Sequence, residues 1–182
     1  LNHNQVYYNI QRLDDETNQT LGYPLYVVDV PGMYDREGVY IDSYTGYGYR
    51  DEVERALSFQ QAVLQWISTW EHRPKVLHCH DHHTGLIPFM VQHALQYKHL
   101  AHIPTVFTIH NGEYHGAFHW NKVHLLPPFE MQAGGLLDWN NTISPLACAI
   151  KCAWKLTTVS KGYLEELQYN AGSSTWLLNN ER

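Results

Sequence analysis

The segment VLHCHDHHTGL, residues 76–86, decides the fold. A short apolar run leads into four histidines and one aspartate, and an apolar, helix-like stretch begins at Leu86. Polar residues crowded where a buried strand passes into a helix cost stability, so their presence indicates a ligand site. A second strand, predicted over residues 105–109, ends in the same way at His110 and Asn111. Ligands of open α/β sheets bind outside the carboxyl ends of the strands, so both ends are expected to line one crevice.

Around these two strands the chain alternates strand and helix patterns. Apolar residues at three- and four-residue steps predict helices, and β-branched or aromatic runs predict strands. Thr84 is expected to cap the second helix, and Gly172 to follow the last one. The predicted elements are strands at 5–10 and 25–30, a helix at 51–70, strands at 75–79 and 105–109 separated by a helix at 86–97, and then a helix at 143–154, a strand at 156–159 and a helix at 161–170.

This order predicts the α/β class: a Rossmann-like parallel sheet with helices on both faces, joined by right-handed crossovers, and an N-terminal β-hairpin. A chain of 182 residues is long enough for one domain with a real core, so we expect a single domain over residues 1–182. Neither a GxGxxG nor a GxxxxGK[ST] motif occurs, which argues against a dinucleotide or P-loop site, and no cofactor is expected.

The composition excludes several classes of protein. Hydrophobic content of 44% with 16% charged residues excludes a disordered chain, and a net charge of −6 argues against nucleic acid or an anionic membrane as the partner. The chain has no cationic leader and no apolar run of about 20 residues. Its three cysteines form no CxxC pair, which favours buried thiols in a reducing compartment, so a cytoplasmic location is expected.

The histidine-rich segment admits three interpretations. His80, Asp81, His82 and His83 are all potential metal ligands, or some of them could simply pack and cap the strand end. Neighbouring residues of a strand point to opposite faces, however, and the spacing lacks the HExxH geometry of helical zinc sites. We therefore favour a site for an organic ligand and expect no bound metal.

Aromatic residues concentrate in two predicted loops. The first loop ends near Arg50, and the second spans residues 112–142. Sugar rings stack on such side chains, although loop aromatics can also serve only to fix a loop to the core. Their clustering around the two strand ends favours a carbohydrate ligand and makes Tyr114 a candidate for binding it. The aromatic residues in question are Tyr44, Tyr47, Tyr49, Tyr114, Phe118, Trp120 and Trp139.

The chain resembles the N-terminal, acceptor-side domain of bacterial glycogen synthases and plant starch synthases, which are two-domain glucosyltransferases of the GT-B architecture. The resemblance implies one half of a GT-B fold. It also implies retaining transfer of glucose from ADP-glucose to the non-reducing end of an α-1,4-glucan, without a metal. It rests on five stretches in the family's order: DVPGMYDREGVY (29–40), YRDEVERALSFQQAVL (49–64), KVLHCHDHHTGL (75–86), PTVFTIHNGEYHGAF (104–118) and KLTTVSKGY (155–163).

The same resemblance implies roles for individual residues. His110 and Asp81 match the catalytic pair: the histidine lies against the donor glucose, with its imidazole on the 6-hydroxyl and its backbone carbonyl facing the anomeric carbon, and the aspartate organises the pocket. Asn111 matches a residue near the sugar, and Tyr49 matches one on the acceptor side. His82 stands where the family usually has tryptophan, so an acceptor-stacking surface is expected to differ here.

The family's Lys-Gly-Gly-Leu motif on the first strand and its C-terminal domain have no counterpart in these 182 residues. The chain is therefore expected to be a piece of a longer protein, with that C-terminal domain as its partner, and to be inactive alone. Other interpretations stay open: a different GT-B transferase using UDP-glucose, a non-catalytic carbohydrate-binding module using the loop aromatics, or a metal-dependent hydrolase.

Overall fold

The computed structural model describes residues 6–181. The chain divides into two compact units, Leu1–Val63 and Leu64–Arg182, which are described separately. The single domain expected from the length of the chain stays a prediction. No helix in the described part of the chain is both long and apolar enough to span a bilayer.

The first unit contains the predicted hairpin. Strands β1 (Asn9–Arg12) and β2 (Tyr26–Asp29) pair in antiparallel fashion, with Ile10 opposite Val28. The first strand lies further along the chain than the predicted 5–10, of which residue 5 falls outside the described residues. The hairpin therefore forms as predicted, with the first strand shifted in sequence.

A short helix that the sequence analysis missed, α1 (Asp15–Leu21), connects these two strands. Asp14 caps it by accepting a hydrogen bond from the Thr17 backbone N–H at 2.8 Å. Gly22 ends it in the left-handed conformation, with φ at 77°, which glycine adopts without steric cost. Both caps are ordinary helix signals, and the polar composition of the segment obscured them.

The long helix predicted over 51–70 forms as α2 (Glu52–Ser68). Before it, the tyrosine-rich loop is closed by a bridge between Ile41 and Gly48. The Arg36 guanidinium donates two hydrogen bonds to the Asp51 carboxylate, at 2.8 and 2.7 Å. This ion pair lowers the pKa of Asp51 and fixes the loop at the start of the helix.

The second unit is built on a three-stranded parallel sheet of β3 (Leu77–His80), β4 (Thr105–Ile109) and β7 (Lys155–Thr158), with β4 in the middle. The predicted α/β class with a parallel sheet flanked by helices is thus confirmed. The strands of the second unit are β3 (Leu77–His80), β4 (Thr105–Ile109), β5 (Asp138–Trp139), β6 (Thr142–Ile143) and β7 (Lys155–Thr158). Its helices are α3 (Ile87–His93), α4 (Pro145–Cys152), α5 (Lys161–Tyr169) and α6 (Ser173–Asn180).

The core of this unit lies on one face of the sheet. Phe107 of β4, Phe89 of α3 and Leu146 of α4 are all fully buried. The turn that precedes α3 lies close to the start of α4 because Gly85 has no side chain: a Cβ there would lie 2.7 Å from the carbonyl carbon of Pro145. The opposite face of the sheet carries the exposed residues His78 and His80.

Several predicted boundaries were wrong. The helix predicted over 86–97 ends at His93 and continues as a 3₁₀ helix over Leu95–Leu100. Thr84 does not cap it, because Leu86 precedes the first turn. Gly172 does not close α5 and instead precedes α6, a helix that was not predicted.

The segment 112–142, predicted as a long loop, has more regular structure than expected. It holds 3₁₀ helices at Trp120–Leu125 and Met131–Leu136, followed by the β5–β6 hairpin. The two residues that join these strands, Asn140 and Asn141, have φ values of 53° and 60°. Two consecutive positive φ values are the signature of the tight turn that suits a hairpin, and asparagine tolerates them well.

Candidate functional site

The carboxyl ends of β3 and β4 lie side by side. The parallel register pairs His80 with Thr108, so the residues that follow each strand are neighbours. One carboxylate oxygen of Asp81 accepts hydrogen bonds from the backbone N–H groups of His110, at 2.8 Å, and of Asn111, at 3.3 Å. The sheet thus brings together the two residues that were predicted to meet, and the carboxylate fixes the backbone on which the predicted catalytic histidine stands.

Asp81 has a strained backbone. Its φ of 54° and ψ of 178° lie in a region that essentially only glycine occupies, at a cost of roughly 1–3 kcal/mol for other residues. The Thr84 hydroxyl supports this turn, because it accepts a hydrogen bond from the His80 N–H and donates one to the His80 carbonyl, both at 2.7 Å. Strain that is held in place at a strand end is typical of functional sites.

Three imidazoles adjoin one another at these strand ends. The Nδ1 atom of His80 lies 3.0 Å from Nε2 of His110, and the rings of His80 and His78 are 4.3 Å apart between centroids. His80 remains exposed, but its pKa is lowered. The main cause is partial desolvation, and the nearby imidazoles of His78 and His110 contribute less. The lowered pKa favours the neutral form of His80.

A second group of rings lies next to Asp81. His82 stacks on His83 with centroids 3.8 Å apart, and the ring of Tyr114 is 6.4 Å away. Gly116 permits this arrangement, because its φ is +63° and a Cβ there would lie 2.5 Å from the His82 ring. Burial, with a smaller contribution from His83, lowers the pKa of His82 to about 4. His82 therefore presents a neutral ring beside the strand ends, next to the exposed ring of Tyr114.

A starch synthase catalytic domain family matches residues 2–179 of the chain. The chain belongs to this family. It is 46% identical over 167 residues to the glycogen synthase of Flavobacterium johnsoniae, an alignment that covers 92% of this chain and 34% of that protein. It is 29% identical over 148 residues to a glycogen synthase of Vibrio cholerae, covering 80% and 30%. The chain thus spans about a third of the length of these two glycogen synthases.

A solved starch synthase structure has the same fold. The catalytic domain of Starch Synthase IV from Arabidopsis thaliana, bound to ADP and acarbose, superposes with a TM-score of 0.67 at 20% identity. The match covers 97% of this chain and 39% of that one. This likeness confirms the predicted fold class, one Rossmann-like half of a GT-B fold.

Within this member of the starch synthase family, Asn111 and its neighbours are fixed by contacts that the sequence analysis missed. The Asn111 side chain accepts a hydrogen bond from the Glu113 N–H at 2.9 Å and closes a turn. The Gly112 N–H donates to the Tyr163 hydroxyl at 2.8 Å, and the Ser174 hydroxyl donates to the Gly112 carbonyl. The turn at Asn111 is local, and asparagine is a signal for it. The sequence held no signal for the two contacts of Gly112, which come from α5 and α6, about fifty and sixty residues later.

The predicted site residue Tyr49 lies in the first unit. Its hydroxyl donates a hydrogen bond to the Glu37 carbonyl, and the Arg36 and Arg55 guanidinium groups lie 5.2 and 4.7 Å from the ring centroid. Both contacts hold the ring in place within that unit. Its role on the acceptor side stays a prediction.

Between residues 6 and 181, no group of three or more histidine, cysteine or carboxylate side chains is arranged to hold one metal ion. The side chains that converge at the strand ends are instead suited to hydroxyl groups and flat sugar faces: imidazole nitrogens, a carboxylate and aromatic rings. Hydrogen-bonding groups at fixed positions beside stacked rings are the combination that a polyhydroxylated ligand requires.

Proposed function

We propose that the protein containing this chain is a glycogen (starch) synthase that transfers glucose from ADP-glucose to the non-reducing end of an α-1,4-glucan with retention of configuration. Family membership and the 46% identity to a curated glycogen synthase support this proposal. The three free and buried cysteines, Cys79, Cys148 and Cys152, fit the reducing cytoplasm as its location. The proposal requires no metal and no cofactor.

The observation that carries the proposal is the bond between the Asp81 carboxylate and the peptide that links His110 to Asn111. The N–H of this peptide donates to Asp81 at 3.3 Å. In a trans peptide the N–H and C=O groups point in opposite directions, so the His110 carbonyl points away from the carboxylate. A hydrogen bond to a negative acceptor polarises the peptide and increases the electron density on that carbonyl oxygen.

A polarised carbonyl is useful at an anomeric carbon that loses its leaving group. As the nucleoside diphosphate departs, positive charge develops on the donor sugar, and an electron-rich oxygen held beside it stabilises the transition state. In this proposal Asp81 fixes and polarises the backbone, the His110 carbonyl faces the anomeric carbon, and the imidazole binds the 6-hydroxyl of the donor glucose. Asn111 lies near the sugar, and no protein nucleophile is needed.

The acceptor glucan is proposed to contact His82 and Tyr114 of the second unit. Tyr49 of the first unit is proposed, on the family resemblance alone, as an acceptor-side residue. His82 and Tyr114 offer their rings beside the strand ends, and His82 stays uncharged because its pKa is about 4. A neutral imidazole offers a sugar ring a smaller stacking surface than an indole does. We therefore expect His82→Trp to strengthen glucan binding in the full-length protein.

The nucleotide is proposed to be held by the C-terminal domain of the longer protein, so the 182-residue chain alone should be inactive. The test incubates full-length protein with labelled ADP-glucose and glycogen. We expect His110→Ala to lower the rate of incorporation about 10²- to 10³-fold, the effect of losing one preorganised contact. The control is His102→Ala, because His102 is exposed and lies outside the proposed site.

A near-wild-type rate for His110→Ala would contradict the proposed role of this residue. Faster transfer from UDP-glucose than from ADP-glucose would show that the proposed donor is wrong, while the proposed type of reaction would stand. No transfer from either donor, together with glycogen binding that is insensitive to His110, would favour a carbohydrate-binding module.

A further inference from the structure

His80 makes a side-chain contact with the imidazole of the proposed catalytic histidine. Its Nδ1 atom lies 3.0 Å from Nε2 of His110, a normal hydrogen-bond distance, and the two ring centroids are 5.3 Å apart. Asp81 contacts His110 only through the backbone. Within residues 6–181, the ring of His110 therefore has a single hydrogen-bond partner, and that partner is His80.

The His80 ring is itself held in place by His78, which lies two residues earlier on the same face of β3. It stacks on His78 at 4.3 Å between centroids, with 33° between the ring planes. The Nε2 atom of His78 lies 2.7 Å from the Thr108 hydroxyl, which lies 2.6 Å from the hydroxyl of Thr157. This row of side chains crosses all three strands of the sheet, so the position of His80 is set by the sheet rather than by a mobile loop.

The backbone of His80 is also fixed. Its N–H and its carbonyl both bond to the hydroxyl of Thr84 at 2.7 Å, so the end of β3 cannot move independently of the turn that follows. A ring on a fixed backbone, stacked on a second fixed ring, presents its Nδ1 atom to His110 in one orientation. This is the arrangement expected of a group that orients another side chain.

A hydrogen bond between two imidazole nitrogens requires one proton between them. If Nδ1 of His80 carries the proton, Nε2 of His110 must accept it, and if Nε2 of His110 carries it, Nδ1 of His80 must accept. The two nitrogens cannot both carry a proton, because the protons would repel each other. They cannot both be unprotonated, because the hydrogen bond would then be lost. The bond therefore couples the tautomer of His110 to that of His80, so a fixed tautomer of His80 fixes that of His110.

We propose that His80 is a positioning residue that holds the His110 imidazole in one orientation and one tautomer, with Nε2 of His110 directed at the protein and Nδ1 directed at the substrate hydroxyl. This inference rests on the proposed function, because it assigns to Nδ1 the contact with the sugar. Within the described residues, Nδ1 of His110 bonds to no protein group, so it is available for that contact.

The test uses full-length protein and compares three substitutions at His80. His80→Ala removes the bond and should lower kcat about 10- to 100-fold, with little change in KM for ADP-glucose. His80→Asn places an amide near the position of Nδ1 and should restore most of the rate. His80→Gln has a similar size and polarity, but its amide reaches the position of Nε2, so it should remain impaired. A merely structural role would not distinguish asparagine from glutamine in this order.

Two further measurements separate this inference from the proposed function. In the His110→Ala background, His80→Ala should cause no additional loss, because a residue that acts through His110 has nothing left to orient. The imidazole ¹⁵N shifts of His110 should show one protonated and one bare nitrogen in the wild type and averaged values in His80→Ala.

Additive losses in the double variant, equal rates for His80→Asn and His80→Gln, or an unchanged His110 spectrum would each overturn the role of His80. If His110→Ala alone has no effect on the rate, it is the proposed role of His110 in catalysis that fails. The ¹⁵N spectra would still report whether His80 fixes the tautomer of His110. The two failures are therefore distinguishable.

Discussion

Replacing Asp81 by glycine should destabilise the protein less than replacing it by alanine. At ordinary backbone positions the order is the reverse, because glycine loses more conformational entropy on folding, by roughly 0.5–1 kcal/mol. Asp81, however, has φ at 54° and ψ at 178°, where any residue with a Cβ is strained. Alanine keeps this strain, whereas glycine relieves it.

The expected magnitudes follow from the contacts. Both substitutions remove a charged acceptor from the N–H groups of His110 and Asn111. These bonds are exposed to solvent, so their joint loss should cost about 2 kcal/mol, near the lower end for charged hydrogen bonds. Relief of strain returns roughly 1–3 kcal/mol to the glycine variant, less its entropy cost. Asp81→Gly should therefore be more stable than Asp81→Ala by about 1 kcal/mol.

Urea unfolding of the purified chain, followed by the fluorescence of its six tryptophans, measures this difference. With an m-value of about 2 kcal/mol per molar, the glycine variant should unfold at roughly 0.5 M higher urea than the alanine variant. The matched control is Glu165, an exposed position of α5, where glycine should be the less stable of the two by about 1 kcal/mol. An alanine variant at position 81 as stable as the glycine variant would refute the strained backbone at Asp81.

Three other changes have defined outcomes. The pKa of His82 falls from 6.5 to about 4 on folding, so the unfolded chain binds more protons between these values. Stability should decrease as the pH falls from 6.5 to 4, by up to roughly 3 kcal/mol at this residue, and His82→Gln should reduce that dependence in urea titrations at each pH. Gly85→Ala would place a Cβ against the carbonyl of Pro145, so the urea midpoint should show a loss of about 1–3 kcal/mol. Burial raises the pKa of Cys79 to about 12, and the other two thiols are also buried, so a thiol reagent should label all three cysteines only after unfolding.

Helices and strands were predicted accurately where the residue pattern that defines them lies within the element itself. Helix α2 was predicted to within two residues at each end because a 3.6-residue apolar period extends along its whole length. Strand β4 was predicted at its observed bounds because Pro104 and His110 interrupt an apolar run. Helix α6 was missed, since Ser173–Asn180 has little apolar periodicity and Gly172 matched the signature of a helix end.

In the candidate site, too, some contacts were predictable from the sequence and others were not. The meeting of Asp81 and His110 was predictable, because neighbouring parallel strands deliver their carboxyl ends to one edge. The bond between His80 and His110 was not, since a strand pattern gives the face of a residue but not the rotation of its ring. Nor did the sequence indicate the positive φ of Asp81, because aspartate at a strand end is compatible with many turns.

The positive φ of Asp81 accounts for how two adjacent residues can serve the same histidine. Regular alternation along β3 puts His78 and His80 on the exposed face and Cys79 on the buried one, and would send residue 81 to the buried side. The turn at Asp81 breaks that alternation, so its carboxylate reaches the backbone of His110 while the His80 ring reaches the imidazole. The strain at Asp81 is therefore the conformational cost of orienting both the peptide and the side chain of His110 from a single strand end.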